Sequence, residues 1–512
     1  MDAKVVVASD PGVRPVAGRR EWIGLAVLAL PTLLVSIDVF VMLLALPHLA
    51  QALGAGSTQQ LWIMDMYGFM LSGFMITMGT LGDRIGRRKL LLIGGAAFGL
   101  ASILAAYSTS AGMLIAARAL LGIAGATLAP SALALITNMF RDPKQRGLAI
   151  GVWLVCFMGG AALGPIVGGA LLEHFWWGSV FLVGVPAMAL LLVLGPVLLP
   201  EYRDASAGRL DLVSVGLSLV TILPIIYGIK ELARNGWDTL PLVAIAAGAA
   251  GGVVFVRRQA RLADPLLDLR LFRGRTFSTA LGSMMLNTML MGALMMFSTQ
   301  HLQLVQGLSP LATGLWMLPV MAASGVTFLA SPLLARRFRP AYLIGGGILV
   351  SIVGLVLFTQ VGDEYGPALL VTGWSIVNLG AGPFVTLGTD IIVGSVPVEK
   401  AGSAAALNQT SGEFGFALGI AILGSIGTAV YRTRISVPAG VPDGAAAAGR
   451  DTIAGATAAA GHLPHDLGAA LLGSARAAYT AGFHTVSAVA AVLLVGVAVT
   501  VLTMLRHIRP TA

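Results

Sequence analysis

The chain is predicted to be an all-α polytopic membrane protein with fourteen transmembrane helices. Three observations predict it. Of 512 residues 57% are apolar and only 11% charged, with a mean hydropathy of +0.87, far more apolar surface than a water-soluble domain of this size can bury. Stretches of about 20 apolar residues, the length that crosses a hydrocarbon core of about 30 Å, recur along the whole chain. Lys and Arg alternate between successive loops instead of gathering in one basic patch, as the positive-inside rule demands of a multi-pass protein.

The expected spans are 22–46, 59–81, 90–109, 112–137, 147–172, 177–199, 211–229, 240–256, 277–302, 310–334, 341–360, 367–393, 402–429 and 478–505. With the N-terminus placed in the cytoplasm, 25 of the 32 Lys and Arg fall on the cytoplasmic side, six on the other, and Arg118 lies inside a span. Both termini are therefore expected in the cytoplasm of a cell with the chain in its plasma (inner) membrane. The net charge of +9 then reports topology and argues against a nucleic-acid partner. The first 20 residues hold Pro, Arg and Asp and no small-residue cleavage site, so the first helix is expected to remain as an uncleaved span. The single cysteine, Cys156, excludes an intramolecular disulfide. Six of the seven histidines lie near outer helix ends and read as interfacial residues.

Taken in order, the spans carry a small set of residues that hydrocarbon does not tolerate for free. Asp38 stands midway along the first span and Asp65 in the second. A carboxylate in a bilayer costs several kcal/mol and persists mainly where it faces a wet cavity or carries protons or cations. Asp65 precedes Asp83 by 18 residues, about 27 Å of helix at 1.5 Å per residue, which places it toward the outside, where a proton or cation would enter. The turn after span 2 reads Gly79-Thr80-Leu81-Gly82-Asp83-Arg84-Ile85-Gly86-Arg87-Arg88-Lys89. Its glycines permit a tight corner, and one acid among four bases can form a charge network that breaks when two halves rock apart. A plain basic loop fixing topology is the simpler reading.

Arg118, inside span 4, needs a carboxylate or a helix carbonyl as partner. Span 5 carries Gly151, Gly160, Gly164-Pro165 and Gly168-Gly169. In lipid, such a row permits backbone-to-backbone helix packing, with a kink at the proline. Between spans 10 and 11 the turn Ala335-Arg336-Arg337-Phe338-Arg339-Pro340 is a degenerate copy of the first turn with Arg336 in the place of the acid. Repetition at that interval predicts two homologous six-helix halves and leaves spans 7 and 8 as an inserted pair. The expected division is an N-tail 1–21, a first half 22–199, a linker 200–276 with the inserted pair, a second half 277–505 holding an Ala/Gly-rich exoplasmic loop 431–477 of weak helical character, and a C-tail 506–512. Glu413 is the acid well inside span 13, and Asp390 lies two turns from the cytoplasmic end of span 12 as a gate residue. Trp62, Tyr67, Trp153, Phe157, Trp316, Trp374, Asn408 and the span-9 methionines Met284, Met285, Met289, Met291, Met295 and Met296 are candidates to line a cavity, since aromatic faces attract organic cations and thioethers adapt to varied shapes. Most such residues in any span simply pack.

No phosphate loop of the G-x-x-x-x-G-K-[ST] kind, no H-E-x-x-H, no C-x-x-C and no G-x-S-x-G occurs, so the chain is not expected to be an enzyme or to bind a metal or cofactor. A carrier driven by an ion gradient remains.

The Gly79–Lys89 turn resembles the loop between the second and third helices of the major facilitator superfamily at each defining position. The segment around Asp38, ending in Ala45-Leu46-Pro47, is similar to the first-helix motif of the fourteen-helix drug:proton antiporter branch, although Phe40 replaces its usual polar residue. Gln59-Gln60-Leu61-Trp62, before Asp65, resembles quaternary-ammonium efflux pumps of bacteria. The Arg118-x-x-x-Gly122 pattern resembles a fourth-helix motif assigned to proton transfer, and the span-5 row resembles the antiporter motif. The resemblance implies proton-coupled, alternating-access efflux of lipophilic, monovalent cationic drugs, dyes or antiseptics. Asp38, Asp65, Glu413 and Arg118 are its coupling groups, Gly79, Asp83, Arg84, Gly86, Arg87 and Arg88 its switch loop, and Gly151, Gly160, Gly164, Pro165, Gly168 and Gly169 its antiporter helix. Asn408 and Gln409 stand where some relatives carry further acids, and Ser324 where divalent-cation exporters carry one. Expected partners are small lipophilic cations, protons and membrane lipid, with the chain working as a monomer. An exporter dedicated to one antibiotic or secondary metabolite fits the same motifs; a nutrient symporter fits them less well.

Overall fold

The computed structural model describes residues 17–203, 211–262, 265, 267–362, 366–396 and 401–508. Most of the expected N-tail, the last four residues and parts of the linker lie outside them. Among the described residues there are helices and no strand. In chain order they are α1 (Arg19–Leu53), α2 (Ser57–Ile85), α3 (Arg87–Ala106), α4 (Ala111–Met139), α5 (Pro143–His174), α6 (Ser179–Leu182), α7 (Gly184–Leu198), α8 (Leu212–Asn235), α9 (Thr239–Arg261), α10 (Arg275–Gln300), α11 (Pro310–Trp316), α12 (Leu318–Ala335), α13 (Pro340–Phe358), α14 (Gly366–Gly394), α15 (Ala401–Arg434), α16 (Asp443–Asp451), α17 (Ile453–Ala460) and α18 (His465–Met504). Thirteen helical segments among the described residues are long and apolar enough to cross a membrane. The fifth expected span falls in α5, a 32-residue helix whose side chains are described only in part.

Two bundles repeat one packing pattern. In the first, α1 packs on α5 and α7, α2 on α4, and α3 on α4 and α7; in the second, α10 packs on α15 and α18, α12 on α14, and α13 on α14 and α18. The repeat expected from the two basic turns is thus a repeat of helix neighbours. Their outward faces carry bare apolar side chains such as Leu100, Val193, Leu329 and Val353, as a surface bathed in lipid tails requires.

The inserted helices α8 and α9 pack on each other with close backbone approach, where a Cβ at Gly248 would lie 2.6 Å from the Thr221 carbonyl oxygen. At one end Asp211 clasps them, capping Ser214 and accepting Arg258 Nη2 at 2.8 Å. Burial pushes the Asp211 carboxyl up, but the bonds from Ser214 and Arg258 outweigh it and hold it below the usual carboxylate value. The other side of α8 lies in the seam between the bundles, where Ile222, Leu223 and Ile226 meet Phe69 of α2 and Phe414, Ala417 and Ala421 of α15.

The two bundles touch at the end away from the α2–α3 turn. There Gln303 Nε2 donates to the Leu44 carbonyl at 3.2 Å, and Asp451 accepts from the Ser57 amide and hydroxyl, both at 2.9 Å. A Cβ at Gly169 would lie 2.6 Å from Leu311 Cα. At the basic end the bonds we identify stay within one bundle, such as Arg88 to the Leu199 carbonyl and Arg339 to the Arg506 carbonyl. The expected weakly helical loop 431–477 is ordered instead: α16, α17 and the start of α18 cap the closed end, with Tyr431 donating to the Gly449 carbonyl at 2.7 Å and Arg432 paired to Asp451 at 2.9 Å.

Candidate functional site

Asp38, Arg118 and Glu413 meet around α2. Residues three and four apart share a helix face, so Ile63 and Tyr67 look one way while Trp62, Asp65 and Phe69 look another. On the first face sits Arg118, 1% exposed. Its Nη1 is 2.6 Å from Asp38 Oδ2, its Nε donates to the Ile63 carbonyl at 3.2 Å, and its guanidinium lies 4.5 Å from the centre of the Tyr67 ring. The sequence left open whether a carboxylate or a carbonyl would partner Arg118; both do. A buried guanidinium survives only when charge and hydrogen-bond demand are met together. Asp38 keeps 12% of its side chain exposed, so the pair is not sealed.

Glu413 approaches the same place from the other bundle. It accepts from Gln409 Nε2 at 3.3 Å and lines a small cavity with Val39, Met64, Tyr67, Gly68, Arg118 and Phe416. The approach depends on Gly68, where a Cβ would sit 2.9 Å from the Ala417 Cβ. One guanidinium therefore stands between a carboxylate it holds, Asp38, and a carboxylate that shares its cavity, Glu413.

Asp65 is a correction. Expected toward the outer end of its helix as a proton or cation entry position, it is completely buried, its Oδ2 2.6 Å from Lys230 Nζ, which is equally buried, and so is not open to water as an entry group needs. Lys230 also lies 3.9 Å from the centre of the Trp62 ring. α8 runs on to Asn235, past the expected end of span 7 at residue 229, so Lys230, expected in the outer loop, lies on the helix.

The α2–α3 turn forms the expected charge network and adds a member. Asp83 pairs with Arg87 at 2.7 Å, while Arg88 reaches the Pro196 and Leu199 carbonyls. Glu201, absent from the sequence reading, accepts the Arg88 amide at 3.1 Å and lies 3.6 Å from its guanidinium. Gly86 has φ 112° and a Cβ there would press into the Glu201 carboxylate, so both backbone and space require glycine. Gly79 and Arg84 flank this network: a Cβ at Gly79 would lie 4.0 Å from Pro130 Cβ, and Arg84 is exposed.

In α5 the small residues divide by position. Gly160, Gly164 and Gly168 face α1 at Leu33, Ser36, Phe40 and Val41. Pro165 and Gly169 face the second bundle, where a Cβ on Gly314 would meet the Pro165 carbonyl at 2.5 Å. Gly151 is a correction to the packing reading: a Cβ there would meet nothing within 4 Å.

The aromatic candidates separate likewise. Trp62 and Tyr67 belong to the charged cluster. Trp374, expected at a cavity, is 3% exposed and packs on Phe358 at 5.9 Å inside the second bundle, and Trp316 is 38% exposed on its surface. Trp153 and Phe157 are half-buried on α5, and Asn408 bonds Thr389 of α14 at 3.2 Å. Met285 and Met289 lend their carbonyls to close packing with Gly415 and Gly419, so that face of the methionine run is helix contact. Ser324 donates to Asn378 at 3.0 Å, and Asp390 is exposed. Of the histidines read as interfacial, His301 is fully buried between Tyr479 and Phe483.

Residues 28–420 match the Major Facilitator Superfamily. Over 482 residues the chain is 45% identical to a protein of Mycolicibacterium smegmatis named multidrug efflux pump LfrA, covering 94% of this chain and 96% of that one. It is 36% identical to the methyl viologen resistance protein SmvA of Salmonella typhimurium, covering 90% and 93% of the two. Its fold is similar to that of a bacterial homologue of the human lysosomal transporter Spinster, with a TM-score of 0.70 at 18% identity over 96% of this chain and 98% of that one.

Proposed function

The chain belongs to the Major Facilitator Superfamily, a secondary transporter of the drug-efflux kind, and we propose that it exports lipophilic monovalent cations in exchange for protons by alternating access. The basic end faces the cytoplasm, as the distribution of Lys and Arg supports. Both termini lie there, the membrane is the cell's inner membrane, and one chain is the working unit.

The observation that carries this reading is the position of Arg118, 2.6 Å from Asp38 in a cavity it shares with Glu413. While Asp38 is ionised it holds Arg118, and the Glu413 charge is left for a cation arriving from the cytoplasmic side, with the Tyr67 ring offering its face. A proton reaching Asp38 removes its charge and releases the guanidinium. Arg118 is then drawn to Glu413 and displaces the cation. Proton and substrate thus compete through one arginine without binding the same atom, and the competition is the coupling. The closed end must open for release, so the contacts at Ser57–Asp451 and Gly169–Leu311 break while the Asp83 turn closes the other end. Asp65, buried on Lys230, takes no direct part in proton entry.

The test is export of ethidium into the lumen of inverted vesicles, with and without an uncoupler, in wild type and Asp38→Asn. We expect the uncoupler to abolish extrusion, and Asp38→Asn, which mimics the protonated acid and frees Arg118 for Glu413, to lower both extrusion and ethidium binding at least tenfold. Extrusion indifferent to both would refute proton exchange through Asp38.

A further inference from the structure

α8, one of the inserted pair, delivers a charge to the membrane-buried seam. Lys230 Nζ has an acid at 2.6 Å and an indole face at 3.9 Å. A carboxylate beside an aromatic face is the arrangement that recognises an organic ammonium ion, and here the ammonium belongs to the protein. The ion pair itself is made at 2.6 Å, but Asp65 Oδ1 has no hydrogen-bond partner while fully buried, and a buried pair is often worth less to stability than an apolar pair of the same shape.

The location gives the pair its consequence. Met64 and Gly68, on either side of Asp65 along α2, line the cavity that holds Glu413 and Arg118, so the Asp65–Lys230 pair flanks that cavity on the neighbouring face of the same helix. Along this stretch of α2 the pairs Asp38–Arg118 and Asp65–Lys230 each balance and Glu413 is left over, which gives one net negative charge. Glu231, next on α8, turns about 100° away from Lys230.

We infer that Lys230 is a built-in counter-cation: it fills an ammonium cage made by Asp65 and Trp62 and thereby sets the cavity to accept monovalent organic cations in preference to dications. This rests on the reading of the chain as an exporter of organic cations, but not on proton coupling. Removing the lysine charge raises the negative charge of the cluster to two and leaves the cage open to a second ammonium group. Removing Asp65 instead leaves the cluster neutral.

The test is equilibrium binding to the purified full-length carrier in detergent at zero gradient, with tetraphenylphosphonium as the monovalent probe and methyl viologen as the dication. For Lys230→Met we expect the affinity ratio of methyl viologen to tetraphenylphosphonium to rise at least tenfold, as one extra unit charge in a site of intermediate dielectric gives. Lys230→Arg should keep the wild-type ratio. Asp65→Asn should weaken both probes, the dication more. The double variant Asp65→Asn/Lys230→Met, which restores one net charge and leaves no lone buried ion, should return the wild-type ratio, and it decides the matter if either single variant does not fold. An unchanged ratio in folded Lys230→Met, or a double variant whose ratio departs from wild type, overturns the inference. A shifted ratio in a carrier whose efflux ignores uncouplers would instead leave the inference standing and overturn proton exchange.

Discussion

The two bundles share a packing pattern and differ in what they bury. The first places Asp38, Asp65 and Arg118 inside the membrane-spanning region and draws Lys230 in from α8. The second holds Glu413 and elsewhere buries rings and polar side chains, with Phe358, Trp374 and Phe483 packed together, His301 between Tyr479 and Phe483, and Ser324 bonded to Asn378. The corners differ in the same sense: the α2–α3 turn balances Arg87 and Arg88 with Asp83 and Glu201, whereas the α12–α13 turn carries Arg336, Arg337 and Arg339 without an acid in the motif. A repeated fold therefore does not require a repeated site. Helix packing in lipid asks only for close-fitting surfaces, so one copy can specialise in charge while the other serves as a frame against which it moves.

The sharpest way to break this comparison is to remove the charge that organises the first bundle. Arg118→Met leaves Asp38 buried without its partner, which should destabilise the protein by about 3–5 kcal/mol and abolish efflux. Glu413→Gln, its counterpart in the second bundle, should lower cation affinity about tenfold with little change in thermal unfolding. Thermal unfolding and cation binding of both variants in detergent check this, and equal destabilisation by the two would end the claimed asymmetry.

A smaller effect is expected within α5. Gly160→Val would drive a side chain into the Leu33 carbonyl and Ser36 and should cost about 1–3 kcal/mol together with most of the transport. Gly151→Val meets open space and should stay within about 0.5 kcal/mol of wild type. Equivalent behaviour of the two would mean that the glycine row acts through something other than close packing.

The smallest contrast lies at the turns. Asp83→Asn removes a partly buried i,i+4 pair and should cost no more than about 1 kcal/mol, so stability should change little, while the transport rate falls severalfold because the turn no longer holds its state. Arg336→Asn in the second turn should leave both within error. A transport assay on the pair, normalised to the amount of folded carrier, separates a switch from a merely basic loop.

Much of the site was legible because hydrocarbon makes charge conspicuous. Asp38 and Arg118 stand in long apolar runs, and each by its expense announced a partner; that they partner each other needed the fold, since 80 residues separate them. Glu413 was legible for the same reason. Lys230 was not, because a lysine at the end of an apolar run is ordinarily a side chain reaching back to water, and nothing local distinguishes Ile229-Lys230-Glu231 from that case. Glu201 was hidden similarly, as one acid in a short connection. Trp374 and Trp316 misled because aromatic residues suit a cavity, a bundle interior and a lipid-facing surface equally well.

By itself the sequence determined that this is a multi-pass helical membrane protein built from two related halves and an inserted pair, because the length of apolar runs, the sidedness of basic residues and the repeated turn are written in one dimension. Only the tertiary structure decided which charges meet: Asp38 with Arg118, Asp65 with Lys230, Glu413 beside both Tyr67 and Arg118. The physical reason is that an ion in hydrocarbon must find a counter-charge within a few ångströms, yet its one-dimensional pattern says only that it must, never from which helix the counter-charge comes.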